Sequence, residues 1–241
     1  MKFLNSTNHL PIKGFQKTTL IDYPGHMASI IFLGGCNFRC DYCYNKDIVL
    51  NPGSLPGLTE ESVLEELTQR KNFIDGVVIT GGEPTLYPKL MDLISAIKQL
   101  GLKVKLDSNG YQPTILKNII DSGLVDYVAM DIKGPLERYP EITCVPLATE
   151  RIQESINLLK RGTVPYEFRT TVWKDAFSDK EFDEIFKLIN GAPAYYLQNM
   201  YPVFTIKPQR TYEPMSKQDI LPILNRGKDA VKHIALRGEW F

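Results

Sequence analysis

The stretch Cys36-Asn37-Phe38-Arg39-Cys40-Asp41-Tyr42-Cys43 contains three of the four cysteines in the chain, in the spacing C-x3-C-x2-C. Thiolates packed this closely on one loop can converge on a single centre. Iron–sulfur clusters are held by cysteine thiolates, and a cubane cluster normally takes four of them. Because this stretch supplies only three, one corner of a cubane bound here would lack a local protein ligand. A substrate or cofactor could bind at that corner.

The cysteine loop follows a predicted buried strand. Residues 28–33, Ala-Ser-Ile-Ile-Phe-Leu, are almost continuously apolar and rich in β-branched side chains, as in a strand covered on both faces. Gly34-Gly35 ends this strand. Upstream, residues 11–26 alternate loosely and end in a Pro-Gly turn, which predicts a short extended segment. The cysteines therefore leave the carboxyl end of a strand.

The same pattern of strand, loop and helix repeats along the chain. Thr59 is a predicted N-cap, Ser178 and Glu181 form a predicted capping box, and Gly101 is placed to end a helix. Six alternations favour an α/β fold built as an incomplete (βα)6, TIM-like barrel, with a doubly wound open sheet as the competing fold. The later predicted strands are 76–80, 103–106, 125–130, 165–172 and 194–197.

Length and composition fit one soluble domain. The chain has 241 residues, 43% hydrophobic and 23% charged, and its 28 basic residues equal its 28 acidic ones. We expect no nucleic-acid or membrane partner from this balance, no signal peptide at the start, and a cytoplasmic location. The predicted single domain covers 1–241, with a core of about 27–200, an extended segment 1–26, and a helix and strand within 201–241.

Other interpretations of the cysteines remain. A structural zinc site normally takes four ligands from paired motifs, and here one pair is missing. A redox pair of Cys40 and Cys43 would leave Cys36 without a role. Cys144 lies on a different strand–helix connection, and we interpret it as a solitary thiol rather than a fourth ligand. The interval from Asn45 to Thr80 contains no cysteine, so we expect a single cluster.

Unusual polar motifs follow the later strands. In parallel α/β folds, ligands collect outside the carboxyl ends of the strands. Arg169 lies inside an otherwise apolar strand, where an unpaired charge is costly, so we expect it to pair with a ligand or with a carboxylate that lines the barrel. The other motifs are Gly81-Gly82-Glu83-Pro84, Asp107-Ser108-Asn109-Gly110, Asp131-Ile132-Lys133 and Gln198-Asn199.

At these residues the sequence resembles the radical SAM superfamily. The spacing Cys36-x3-Cys40-x-Tyr42-Cys43, with an aromatic residue before the third cysteine, matches the signature of that family. The resemblance implies one [4Fe–4S] cluster on the three cysteines and S-adenosylmethionine on its fourth iron. It implies that Tyr42 shields the cluster, and that Gly81, Gly82 and Glu83 serve the methionine amino group.

A closer resemblance is to the activating proteins of glycyl radical enzymes, above all those of anaerobic ribonucleoside-triphosphate reductase. It rests on residues 14–25, on residues 32–40, on Phe168-Arg169-Thr170-Thr171-Val172 and on Leu236-Arg237-Gly238. Many of these proteins have histidine after the third cysteine, where this chain has Tyr44. The resemblance implies that Asp107, Asn109 and Lys133 contact the cofactor and that Asp107 and Asp131 can hold a monovalent cation. From their own places in the sequence we also expect Arg169, inside an apolar strand, and Gln198, at the end of the sixth strand, at the cofactor.

The resemblance also implies a reaction. A flavodoxin- or ferredoxin-type donor reduces the cluster, S-adenosylmethionine is cleaved to a 5′-deoxyadenosyl radical, and that radical generates a glycyl radical on a partner enzyme. No side chain is required as a catalytic acid or base. Pyruvate formate-lyase or another glycyl radical enzyme is an alternative partner.

Two other functions stay open. One is a radical SAM enzyme acting on a small molecule, of the deazaguanine-synthase type. Such enzymes carry polar substrate-binding side chains inside a more closed barrel, whereas we expect the interior here to be mainly apolar. The other is a non-catalytic metal-binding module.

Overall fold

A computed structural model describes residues 9–200, 205–207, 209–238 and 240. The parts of the N-terminal and C-terminal expectations that fall on 1–8, 201–204, 208, 239 and 241 lie outside the described residues. The strands are β1 (Ile12–Thr19), β2 (Ala28–Leu33), β3 (Gly76–Gly81), β4 (Lys103–Ser108), β5 (Tyr127–Asp131), β6 (Tyr166–Val172), β7 (Tyr195–Asn199) and β8 (Ile234–Arg237). The α-helices are α1 (Lys46–Leu50), α2 (Glu60–Arg70), α3 (Leu90–Gln99), α4 (Pro113–Asp121), α5 (Tyr139–Thr143), α6 (Glu150–Lys160), α7 (Asp179–Leu188) and α8 (Lys217–Gly227).

One sheet contains all of these strands, in chain order from β1 to β8. The strands β2 to β8 pair in parallel, and β1 pairs antiparallel with β2. In the described part of the chain, the edge strands β1 and β8 do not pair with each other, so the barrel stays open. The predicted α/β class and incomplete barrel are confirmed. The predicted N-terminal extended segment forms β1, and the predicted C-terminal strand is observed as β8, so within the described residues both add to the six strands of the predicted repeats.

The helices pack on the outside of the sheet through apolar faces. In α3, four residues at helical spacing are buried: Leu90, Leu93, Ile94 and Ile97. They meet outward-facing strand residues such as Val104 and Leu106, which are also buried. Burying one such side chain contributes roughly 1.5–3 kcal/mol, so this layer holds the strands in place around the interior.

The predicted helix boundaries at three capping residues are confirmed. The Thr59 side chain accepts a hydrogen bond from the backbone N–H of Ser62 at the start of α2. Ser178 and Glu181 form both bonds of the capping box at the start of α7. Gly101 follows α3 with φ +82°, a left-handed conformation that favours glycine. These residues fix where the connections to and from the strands begin and end.

The register of the parallel strands brings the motif residues to one edge of the sheet. Leu33, just before the cysteine loop, pairs with Gly81. Asp131 pairs with Arg169 on the next strand. The carboxyl ends of neighbouring strands therefore lie side by side, as the sequence pattern predicted. Within the described residues, no helix is both long enough and apolar enough to cross a membrane.

Candidate active site

The three clustered cysteines line one cavity at the carboxyl ends of the strands. The cavity has a volume of about 500 Å³, within the ordinary range of small-molecule sites, roughly 300–1,000 Å³. Cys40 is buried, Cys36 and Cys43 are partly buried, and all three are free thiols. The fold thus brings the C-x3-C-x2-C stretch and the later strand ends to a single cavity.

Arg39 holds the cysteine loop in shape from within. Its guanidinium group donates hydrogen bonds to the carbonyl oxygens of Cys36 and Phe38, both at 2.7 Å. Its backbone N–H donates to the carbonyl oxygen of Thr143 at 2.8 Å, which ties the loop to the connection after β5. Because this loop is fixed through backbone atoms, its thiols remain available to a bound group.

Burial keeps the cysteine thiols protonated when no metal is bound. It raises the pKa of Cys36 to about 12, helped by the nearby Glu83 carboxylate, and the pKa of Cys40 to about 11 despite the opposing charge of Lys133. Thiolates are the form that binds iron, so iron binding here would release protons and its positive charge would offset the burial. The site is thus unfavourable for free thiolates and suited to metal-bound ones.

Two buried polar atoms beside the cysteines lack a partner. Within the described residues, the Asn37 side-chain Nδ2 donates no hydrogen bond, and the Tyr42 hydroxyl neither donates nor accepts one. Leaving such a donor unpaired costs about 1–3 kcal/mol. A group with several acceptor atoms, such as an iron–sulfur cluster with its sulfides, would satisfy both. The donor set of thiols, an amide and a phenol therefore fits a cluster.

A single metal ion fits the same residues less well. Among the described residues, no three His, Cys, Asp or Glu side chains surround one metal-ion position. A structural zinc ion takes four ligands at one point, whereas a cubane with three cysteine ligands binds each thiolate to a different iron. The geometry therefore lends no support to the zinc alternative.

Gly81 and Gly82 lie where two strand-end loops touch. Gly81 has φ +113°, and a Cβ on Gly82 would lie 1.8 Å from the carbonyl oxygen of Gly35. The backbone N–H of Gly82 donates to the Leu33 carbonyl oxygen at 2.7 Å, and that of Glu83 donates to the Gly35 carbonyl oxygen at 2.8 Å. The glycines are thus required by the cysteine loop itself. Both also line the cavity, and their contact with a cofactor stays a prediction.

Glu83 is fully buried and bonded by both carboxylate oxygens. One oxygen accepts from the Ser108 hydroxyl at 2.9 Å and from the Thr85 backbone N–H at 3.1 Å. The other accepts from the Asn109 backbone N–H at 2.7 Å. Burial raises the pKa of Glu83, and these donors oppose that rise. Glu83 therefore joins the end of β3 to the end of β4, and a role at the methionine amino group stays a prediction.

Asn109 links β4 to the cysteine loop. Its side-chain Nδ2 donates to Asn37 Oδ1 at 2.8 Å and lies 3.8 Å from Cys36 Sγ. Its Oδ1 accepts from the Tyr111 backbone N–H at 3.0 Å, an Asx turn. Asn109 therefore stabilises the turn through its Oδ1 and contacts the cysteine loop through its Nδ2.

The predicted charged residues form one connected network. Arg169 donates from Nη1 to Asp107 Oδ2 at 3.0 Å and from Nε to Asp131 Oδ1 at 2.9 Å. Lys133 Nζ donates to Asp131 Oδ2 at 3.0 Å. The expectation that Arg169 pairs with carboxylates lining the barrel is confirmed, while direct contacts of Arg169 and Lys133 with a cofactor stay predictions.

The ion pairs decide the protonation of the two aspartates. Burial alone would raise the pKa of Asp131, but Arg169 and Lys133 outweigh it and lower that pKa to about 2. For Asp107 the cations Arg169 and Lys105 likewise outweigh burial, and its pKa is lowered. Burial would lower the pKa of Lys133, but Asp131 raises it well above its ordinary value. All of these groups are charged at neutral pH.

The barrel interior is more polar than the sequence interpretation expected. Lys105 and Glu167 are fully buried there, and Arg237 donates to both Glu167 oxygens, at 2.5 and 2.8 Å. The expectation of a mainly apolar interior is wrong. Lys105 and Asp107 on β4, Asp131 on β5, and Glu167 and Arg169 on β6 share the inward face, while apolar residues between them, such as Leu106 and Phe168, face the helices.

The remaining predicted residues lie around the cavity. Tyr42 is buried, packs against Trp173 with ring centres 5.1 Å apart, and lies with its ring centre 6.0 Å from Lys133 Nζ. Gln198 on β7 lines the cavity, and Tyr44 lines it with 62% of its surface exposed. Cys144 does not line the cavity; its thiol donates to Asp41 Oδ1 at 2.8 Å.

The sequence interpretation missed three residues of this site. Asn37 bonds to Asn109, Trp173 packs on Tyr42, and Lys105 pairs with Asp107. The period of two along a strand could have identified Lys105, because it lies two positions before Asp107 and so shares its face. Neither Asn37 nor Trp173 carries a pattern that marks it in the sequence.

The comparison with known proteins identifies the family. Residues 30–189 match the radical SAM superfamily. The chain is 32% identical to a putative glycyl-radical enzyme activating enzyme of Methanocaldococcus jannaschii, over 92% of each chain. It is 33% identical to the pyruvate formate-lyase-activating enzyme of Clostridium pasteurianum, over 51% of this chain and 52% of that protein.

Solved structures agree with the fold. The structure of Streptococcus suis SuiB bound to S-adenosylmethionine superposes with a TM-score of 0.67 at 15% identity, covering 85% of this chain and 48% of that one. The chain therefore spans about half of that protein. The chain belongs to the radical SAM superfamily and is a radical SAM enzyme. Membership implies a [4Fe–4S] cluster and S-adenosylmethionine, and the cavity residues fit both.

Proposed function

We propose that this chain is the activating enzyme of a glycyl radical enzyme, with anaerobic ribonucleoside-triphosphate reductase as the favoured partner. The chain would hold a single [4Fe–4S] cluster on Cys36, Cys40 and Cys43 and take its electron from a flavodoxin- or ferredoxin-type donor. The observation that carries the proposal is the joint lining of one cavity by the three thiols and by Glu83, Asn109 and Lys133. The similarity to a putative activating enzyme over 92% of each chain supports the partner class.

The bound cofactors would supply the chemistry. Bound S-adenosylmethionine, given one electron from the donor, would supply a 5′-deoxyadenosyl radical able to take one hydrogen atom from a glycine Cα, with methionine and 5′-deoxyadenosine as the products. The chain's own residues bind, orient and exclude water, which is how a protein contributes to cofactor chemistry.

Individual residues have distinct parts in that arrangement. Lys133, oriented by Asp131, offers an ammonium group to a carboxylate such as that of methionine. Asn109 and Asn37 offer amide groups beside Cys36. Tyr42, whose buried ring packs against Trp173, would help to exclude water from the cysteine loop. Gln198, which lines the same cavity, is a candidate contact for the adenine or ribose.

A second candidate function is a radical SAM enzyme that acts on a small molecule. The buried charges of the interior favour it, because they remove the main sequence argument against it. Pyruvate formate-lyase or another glycyl radical enzyme is the alternative partner within the favoured class. The non-catalytic module has no support once the chain belongs to an enzyme superfamily.

Transfer of a labelled hydrogen tests the proposal. The reductase would be produced with glycine deuterated at Cα, then incubated anaerobically with this protein, reductant and S-adenosylmethionine. We expect one deuterium in the 5′-deoxyadenosine, measured by mass spectrometry. Pyruvate formate-lyase labelled in the same way distinguishes the two partners. Unlabelled 5′-deoxyadenosine with every labelled partner would contradict the activase function and favour the small-molecule enzyme.

A further inference from the structure

Lys105 is a fully buried lysine in the interior of the barrel; burial lowers the pKa of its ammonium group, and the neighbouring Asp107 carboxylate opposes that fall. It lies on β4, two residues before Asp107, and its side chain has no exposed surface. Its ammonium group contacts Asp107 Oδ1. A buried charge without a partner costs several kcal/mol, whereas a paired one is tolerated. Burial of Lys105 therefore costs free energy at a position where an apolar residue would pack more easily.

The contact of Lys105 completes a line of five charged groups. From the interior to the cysteines, the order is Lys105, Asp107, Arg169, Asp131 and Lys133. Lys105 and Arg169 each take one oxygen of Asp107, and Arg169 and Lys133 each take one oxygen of Asp131. Each of the four carboxylate oxygens therefore has a cationic nitrogen partner.

This arrangement does not fit the monovalent cation that the family resemblance implied. Alkali cations bind through oxygen ligands, and here each oxygen of Asp107 already faces a cationic nitrogen, that of Lys105 or that of Arg169. The five groups comprise three cations and two carboxylates, a formal charge of +1, which repels a further cation. Glu167, another buried carboxylate of the interior, is already paired with Arg237.

We propose that the ammonium group of Lys105 is a built-in counter-ion that takes the place of a monovalent cation at Asp107. Lys105 is then a positioning residue: it fixes Asp107, Asp107 fixes Arg169, and Arg169 with Asp131 fixes the ammonium group of Lys133 at the cavity. The binding site for the cofactor would need no alkali cation. This inference concerns the chain and its cofactor alone and does not rest on the identity of the partner enzyme.

Replacement of the alkali cations tests the wild-type protein directly. The cluster-loaded protein is prepared at constant ionic strength with sodium, potassium or choline as the only cation, and the Kd for S-adenosylmethionine is measured. The melting temperature of the metal-free protein is measured in the same three buffers. We expect both quantities to be the same in all three, within about twofold for Kd. A Kd at least tenfold weaker in choline would overturn the proposal.

Removal of the ammonium group provides the second test. Lys105→Ala deletes the side chain beyond Cβ and leaves room beside Asp107, while Lys103→Ala, on an exposed residue of the same strand, is the matched control. We expect Lys105→Ala to bind S-adenosylmethionine at least tenfold more weakly in choline, and to recover at least half of that loss with ammonium or potassium. Its metal-free melting temperature should rise with the same ions. The control should behave as the wild type does.

The outcomes separate the proposal from a purely structural role. Loss of binding that no small cation restores would mean that Lys105 only stabilises the fold, and the proposal would be wrong. Unchanged binding in choline would also contradict it. If Lys105→Ala does not fold, the Kd and melting temperature of the wild type in sodium, potassium and choline still test the proposal. Neither measurement uses a partner enzyme, so a failure here is distinct from a failure of the activase function.

Discussion

The backbone N–H of Asn109 donates a 2.7 Å hydrogen bond to the buried carboxylate of Glu83. This bond joins the loops after β3 and β4, and Asn109 in turn reaches the cysteine loop through Asn37. The motif Gly-Gly-Glu-Pro and the motif Asp-Ser-Asn-Gly are therefore parts of one frame around the cavity. Substitutions in either motif should therefore lower the stability of the loops around the cavity, even without cofactors.

Removal of the Glu83 carboxylate should destabilise the protein even without cofactors. Glu83→Ala leaves four donors, two from Thr85 and one each from Ser108 and Asn109, buried without their acceptor, so we expect a loss of about 2–4 kcal/mol in the free energy of unfolding. Glu83→Gln keeps one acceptor oxygen and should lose less. Denaturant unfolding of the metal-free protein measures both.

The matched control for Glu83 is Glu154→Ala, on the exposed face of α6. It should change the free energy of unfolding by less than about 0.5 kcal/mol. Equal effects of Glu83→Ala and Glu154→Ala would show that the buried hydrogen bonds contribute nothing measurable.

Gly82→Ala should disrupt the contact between the two strand-end loops. The added Cβ would lie 1.8 Å from the Gly35 carbonyl oxygen, a backbone atom that can move only with the cysteine loop. We expect a loss of about 1–3 kcal/mol or more in stability, together with reduced iron content after reconstitution. Gly53→Ala, where the added Cβ meets nothing within 4 Å, is the control. A fully stable Gly82→Ala protein would refute the described packing.

The cluster prediction has a direct chemical test. Anaerobic reconstitution of the wild type should give about four iron and four sulfide per chain. Cys40→Ala should lose most of both, because a cubane on two thiolates lacks a ligand. Cys144→Ala should match the wild type, since that thiol bonds to Asp41 and does not line the cavity. One zinc and no sulfide in the wild type would contradict the assignment.

Acid should weaken the Asp131 ion pairs over a definite pH range. The pKa of Asp131 is about 2 in the folded protein, below the ordinary value of about 3.9. Its contribution is therefore present above about pH 4 and disappears as pH falls through about 2; it amounts to about 2–3 kcal/mol, and about half is lost by pH 3. The stability difference between wild type and Asp131→Asn should shrink accordingly between pH 5 and pH 3.

Urea unfolding at several pH values measures that difference. A constant difference from pH 5 to pH 3 would mean that Asp131 titrates normally and that its pairs with Arg169 and Lys133 are weak. Added salt provides a second check, because partly buried pairs should be screened less than exposed ones.

The fold could be predicted because each strand and helix carries a local pattern. The apolar run before Cys36 and the capping residues Thr59 and Ser178 place their elements nearly as observed. The antiparallel position of β1 could not be predicted in the same way. It depends on pairing with β2 across a hairpin, and the loosely alternating sequence shows only that the segment is extended.

The site could be predicted only in part. The three cysteines and the strand-end motifs have spacings that mark them, and the parallel sheet places them at one edge. The partners of the charged residues are set by which side chains face inward across different strands. In the sequence, nothing therefore distinguishes Lys105 and Glu167 from exposed charged residues of a strand, although both are fully buried.

The measurement that tests the central claim most directly is electron paramagnetic resonance of the partner enzyme. The reconstituted protein would be incubated anaerobically with reductant, S-adenosylmethionine and anaerobic ribonucleoside-triphosphate reductase. The account predicts a glycyl radical signal on the reductase that is absent when Cys40→Ala replaces the wild type. Formation of 5′-deoxyadenosine without a glycyl radical on the reductase, on pyruvate formate-lyase or on any other glycyl radical enzyme would contradict it.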